Sequence, residues 1–143
     1  MKNNNLELLN KLYQNTSMGI SALQTIIPKT KDATLKGELQ AQLDNYNTQS
    51  ENLRKQIYAL NAKPKDIGTI AKTSADASIV MSTTFNNSTS HIAEMMIQGT
   101  NMGVIDINKT LNQMQVKDKS LISQAKDMLE SEQKYIDKLK AYL

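Results

Sequence analysis

The sequence predicts an all-α domain, a bundle of four helices, and three observations carry that reading. Apolar residues recur at helical spacing over nearly all of the 143 residues, with only two prolines, five glycines, one Phe and no Trp. Four heptad series can be traced: Leu6, Leu9, Tyr13, Thr16, Ile20, Leu23, Ile27; Leu39, Leu43, Tyr46, Ser50, Leu53, Ile57, Leu60; Ala93, Ile97, Thr100, Val104, Ile107, Leu111, Met114; and Ile122, Ala125, Leu129, Glu132, Ile136, Leu139, Leu143. Each carries a hydroxyl or a carboxylate at or next to its midpoint. The midpoints of antiparallel helices share one level, so Thr16, Ser50, Thr100 and Glu132 should form one polar layer in an apolar core.

The first helix should run from about residue 4 to 27 and stop at Pro28, which cannot continue a helix interior and biases Ile27 away from helical angles. Thr30 or Asp32 then caps the second helix, which extends to about Asn61. The connection is short, so these two helices are antiparallel neighbours. Asn61-Ala62-Lys63-Pro64-Lys65-Asp66 reads as a turn, with Asp66 capping a further helix over 66–85 whose thin stripe is Ile67, Ile70, Ala77, Met81 and Phe85. Such a helix spans roughly 30 Å, enough to carry the chain from one end of the bundle to the other. Asn86-Asn87-Ser88 is a break, because Asn and Ser compete with the helical backbone through local side-chain bonds, and Ser88 caps the third bundle helix, to about 115. Asp118 caps the last helix, to 143, where Lys134, Lys138 and Lys140 suit the C-terminal dipole. A rival reading fuses 66 to 115 into one bent helix; Gly99 and Gly103 weigh against it.

Two hairpins joined by one long crossover is the ferritin-like connection, and residues 1–143 are read as one such domain. Di-metal carboxylate bundles of that kind require a Glu from each of two helices and a Glu-x-x-His from each of the other two. This chain has one His in total. Its last helix offers Glu132-x-x-Tyr135, and the first and third bundle helices place Thr16 and Thr100 where carboxylates are needed. One carboxylate and three hydroxyls are a poor ligand set for iron. Thr and Ser can instead bond to the carbonyl of their own preceding turn and stay buried. Glu132 either lies in the layer with Tyr13, Tyr46, Thr16 or Ser50 as partner, or tilts to the rim, since a buried unpaired carboxylate is costly.

Other features read as structural. His91 and Glu94 share a face, but His91 sits in a first turn and Ala93 belongs to the core series, so a solvated helix start is expected; with Glu132 they are the remaining metal-ligand candidates. Met81, Met95, Met96, Met102 and Met114 are expected chiefly as core filling. Gly99 and Gly103 form a small-residue ridge suited to close packing by another helix or a second subunit.

Composition excludes whole classes. Cysteine is absent, which removes disulfides, thiol nucleophiles and thiolate metal sites. The net charge of +3 is evenly spread and sixteen of seventeen cations are Lys, so no nucleic-acid footprint is expected. No run of about 18 apolar residues and no signal-like N-terminus is present, so no membrane span and a cytoplasmic location are expected. No Ser-His-Asp set, Walker loop or Rossmann glycines occur, so no enzyme, cofactor or small-molecule substrate is read.

The stretch His91-Ile-Ala-Glu-Met-Met-Ile-Gln-Gly99 through Thr-Asn-Met-Gly-Val-Ile-Asp-Ile-Asn108 resembles a segment of small uncharacterised ferritin-like proteins of low-GC, often spore-forming, bacteria. Leu35 to Leu43 and Leu53 to Pro64 are similar to the second helix of ferritin-like families, including spore coat F-type proteins and domains of unknown function. The resemblance implies a ferritin-like fold in a lineage whose metal ligands are often lost. The expected function is non-enzymatic, through self-association or protein binding in a sporulation or stress setting. The alternative is a degenerate metal-binding protein using Glu132 and nearby acids.

Overall fold

A computed structural model describes residues 4–66 and 86–143, and among them every regular element is helical. Four helices, α1 (Asn4–Ile26), α2 (Ala33–Ala59), α3 (Thr89–Gln113) and α4 (Lys119–Leu139), make up the bundle. The helix expected over 66–85, with its apolar stripe, lies outside the described residues.

The helix ends follow from local chemistry. Pro28 does not cut the chain sharply: it occupies a 3₁₀ turn, Ile27–Lys29, that tightens the end of α1. Thr30 donates its hydroxyl to the Ile26 carbonyl (2.9 Å), and Asp32 accepts from the Leu35 amide (2.8 Å) as the N-cap of α2. At the far end of α2, Asn61 takes a left-handed conformation (φ 56°), and the amides of Asn61 and Ala62 return to the carbonyls of Tyr58 (2.9 Å) and Ile57 (3.4 Å). This is a Schellman closure, with Asn in the place usually taken by Gly and Ala62 packed on the apolar cluster that holds Ile57. Ser88 is extended and accepts from the His91 amide (3.2 Å), so α3 starts afresh at Thr89. That capped break rules out one continuous helix over 66–115. Asp118 caps α4 through the Leu121 amide (3.1 Å).

Two apolar clusters fix the directions of the helices. One gathers Leu8, Leu12, Leu53, Ile57, Ile107 and Leu121; the other gathers Leu23, Ile26, Leu35, Leu39, Ile92 and Leu139. Along the chain α1 and α4 pass from the first cluster to the second, whereas α2 and α3 pass from the second to the first. Each hairpin is therefore antiparallel, and the chain between Leu60 and Ser88 joins opposite ends of the bundle. Fully burying one of these side chains is worth about 1.5–3 kcal/mol, so the clusters supply the main drive for association of the helices.

The heptad series captured the faces but not their width. Leu8, Leu12, Ile26, Leu35, Ile92, Leu121 and Met128 are buried outside the series, because straight helices follow a 3.6-residue period and a broader stripe than a strict heptad. Leu60 and Leu143, assigned to the series, are 41% and 62% exposed, since α2 has already closed at Leu60 and Leu143 follows the last turn.

Candidate functional site

Between the two apolar clusters the core is interrupted, and the four residues at that level are Thr16, Ser50, Thr100 and Glu132. Thr16 is 1%, Thr100 9% and Glu132 4% exposed, while Ser50 is half-buried. Three of the four expected layer residues are thus buried. Thr16 donates to the carbonyl of Leu12 (2.9 Å), the self-satisfying bond open to a helical Thr.

Glu132 is the layer's only acid, and it lies inside, not at the rim. Its Oε2 accepts a 2.7 Å hydrogen bond from the hydroxyl of Tyr46, which links α4 to α2. Of the four expected partners Tyr46 is the one used; Tyr13 instead donates to Asp66 (3.4 Å). Burial disfavours the carboxylate and pushes the Glu132 carboxyl up to about 7, against a smaller opposing effect of the Tyr46 hydrogen bond. Burial and the neighbouring Glu132 likewise raise the Tyr46 phenol well above its usual range, and the same two causes raise Tyr135.

Three more residues complete this centre: Gly19 and Gln42, missed from the sequence, and Tyr135, read there only in the place of the His of a Glu-x-x-His pair. Gly19, one turn beyond Thr16, faces the Tyr46 ring: a Cβ there would stand 2.6 Å from Cε2 and 3.0 Å from Cδ2. Glycine is what lets the ring lie against α1. Gln42 and Tyr135, each a turn from Tyr46 and Glu132, are buried: Gln42 acts on the Tyr46 hydroxyl, and Tyr135 Oη lacks a hydrogen-bond partner among the described residues. Position gives a signal for Gly19 and Tyr135, each three residues from a layer member. Gln42 gives none.

The donors do not fit a di-metal centre. Glu132 is one carboxylate among neutral phenols and an amide, and both phenols resist ionisation. Among the described residues no three His, Cys, Asp or Glu side chains are grouped to hold a metal ion. Glu94 is exposed in the second turn of α3, where it accepts from Gln98 (3.4 Å), and His91 lies in the first turn, more than two turns from Thr100. Glu130 is exposed and pairs with Lys134 (3.4 Å). The structure thus does not bring His91, Glu94 or Glu130 to Glu132.

Two further expectations are corrected. Met96 is core and Met95 and Met114 are partly buried, but Met102 is 70% exposed and fills nothing. Of the glycine ridge, only Gly103 makes a close approach, with Asn15 Oδ1 2.5 Å from where its Cβ would be; nothing described lies within 4 Å of that point at Gly99.

A groove of about 780 Å³ opens between α2 and α4, lined by Gln49, Asn52, Gln56, Ser123, Asp127 and Ser131 among others, over a floor of Leu53 and Met128. No described helix is long and apolar enough to cross a membrane.

No curated protein and no solved structure matches the sequence. One family model does, over residues 4–113, a span that ends with α3 and leaves Glu132 beyond it. The chain belongs to the family described as a domain of unknown function, DUF2383.

Proposed function

We propose that this protein is a ferritin-like bundle that has no metal chemistry of its own and acts by association, through the outer face of α1 and α3, with a second copy of itself. The helix directions support the ferritin-like part: two antiparallel hairpins whose link joins opposite ends is the one-crossover arrangement of that class.

The observation that carries the association is a charge-free face. Residues 12–28 and 95–105 contain no Asp, Glu, Lys or Arg, in a chain of which 22% is charged. The fold lays these runs side by side: Lys11 pairs with Asp106 (3.1 Å) at their edge, and Asn15 lies against Gly103. On this face Met18 is 41%, Ile105 47% and Met102 70% exposed. Depletion of charge together with exposed Met is the composition of an interface core. A two-fold contact sets a patch against itself, so freedom from charge removes the self-repulsion that such a contact would otherwise meet.

Sedimentation equilibrium tests this. The parent should weigh a multiple of 16.0 kDa, and the double variant Met102→Glu, Ile105→Glu should weigh one protomer with unchanged helicity. A parent that remains monomeric at every concentration, or a variant that assembles as the parent does, would refute the proposal.

A further inference from the structure

The seam between α2 and α4 differs from the other neighbouring pairs. The pairs α1/α2, α3/α4 and α1/α3 make the bundle's close backbone approaches, whereas α2 and α4 are held apart by the groove. Between the two apolar clusters to which both helices contribute, their polar link inside the core is the bond from Tyr46 to Glu132. Because the helices are antiparallel, Gln42, one turn before Tyr46, stands at the level of Tyr135, one turn after Glu132. On the other side of the bond Gln49 and Ser131 line the upper end of the groove.

Each flank of the bond carries a buried polar atom without a protein partner among the described residues: Tyr135 Oη on one side, Gln49 Oε1 on the other. Dry, they would cost about 1–3 kcal/mol each, and such groups are ordinarily met by ordered water. The seam is therefore built to admit water beside Glu132.

Among the described residues, the side chains near the level of Glu132 are uncharged. From α1 come Thr16 and Gly19, within the charge-free run 12–28 whose one titratable group is Tyr13; from α3 comes Thr100, within 95–105. From α2 come Tyr46 and Gln42, with Glu38 acting on the more distant Tyr135, and α4 itself adds Tyr135. Among the described residues no cation stands ready to neutralise a carboxylate.

We propose that Glu132 is a proton-controlled latch on this seam: as the neutral acid it lets α2 and α4 close around the bond to Tyr46, and as the carboxylate it draws water in from the groove and parts the two helices. Burial sets the changeover near neutrality, because a closed seam holds the Glu132 proton up to about pH 7 while an open one releases it near the ordinary value of 4.5. Across that interval each pH unit favours opening by up to about tenfold, a few-hundred-fold in all. The α1/α3 contact, with its ion pair of Lys11 and Asp106, acts as the hinge side.

The chain has no cysteine, so spin labels can be placed cleanly at Asn52→Cys and Ser123→Cys, on opposite walls of the groove. Pulsed dipolar distances should show one short separation below about pH 5 and a growing longer population as the pH is raised past 7. With Glu132→Gln, which keeps an acceptor for Tyr46 but cannot ionise, the short separation should persist throughout. With Tyr46→Phe the carboxylate loses its donor, and the long population at pH 8 should exceed that of the parent. A parent distance indifferent to pH, a Gln variant that responds as the parent does, or a Phe variant no more open than the parent at pH 8 would overturn the latch.

Discussion

Replacing Gly19 with Ala sets two effects of known size against each other. Glycine inside a helix costs about 0.5–1 kcal/mol relative to alanine, so Gly→Ala in the middle of α1 should be stabilising on conformational grounds alone. The structure opposes this at Gly19, where the new methyl carbon would lie 2.6 Å from Tyr46 Cε2 and 3.2 Å from Cζ. The ring is pinned at its far end by the bond to Glu132, so it cannot withdraw without giving up that bond. Forcing a methyl into a packed core costs about 1–3 kcal/mol, which exceeds the helix gain. The net expectation is a loss of about 1–2 kcal/mol, or roughly 3–6 °C in Tm for a chain of this size. Gly37 in α2 supplies the control, because nothing lies within 4 Å of its would-be Cβ. Gly37→Ala should therefore gain about 0.5–1 kcal/mol. Thermal and urea unfolding followed by circular dichroism measure both. If Gly19→Ala proves as stabilising as Gly37→Ala, the packing of Tyr46 on α1 is wrong, and the placing of Glu132 with it.

Stability should fall with pH on account of Glu132. Its folded value, about 7, lies above the unfolded 4.5, so the folded state holds the proton more tightly; the contribution is full below 4.5, is lost as pH rises to 7, and amounts to about 3 kcal/mol. Urea midpoints of the parent minus those of Glu132→Gln isolate that term, and a difference independent of pH between 4.5 and 7 would contradict it. Asp32→Ala removes the N-cap of α2 and should cost about 1 kcal/mol by the same assay, with Asp32→Asn nearly neutral.

The ends of the helices were legible because they are written in single residues. Asp32, Ser88 and Asp118 are capping types directly ahead of apolar periodicity, and each caps as its chemistry dictates. The polar layer was read on a different ground: equal series in antiparallel helices put their midpoints near one height, whatever the details of packing. What the pattern did not contain was lateral information. Whether Glu132 turns inward depends on Gly19 leaving room for Tyr46 to reach it, a relation among three helices that no single period encodes. Gln42 is buried by its place beside that pair, although its type argues for solvent. The exposure of Met102 has the same origin, since a Met at helical spacing looks alike on an inner face and on an outer one.

The account turns on one neutral acid in the middle of the bundle, held by one phenol. Carbon-13 NMR of the side-chain carboxyls observes it directly, because the chain holds only six Glu: Glu7, Glu38, Glu51, Glu94, Glu130 and Glu132. In a pH titration one glutamate resonance should move with a midpoint near 7 and be missing from the spectrum of Glu132→Gln. Six resonances that all titrate in the ordinary carboxylate range would contradict the buried Glu132, and with it the polar centre on which the rest depends.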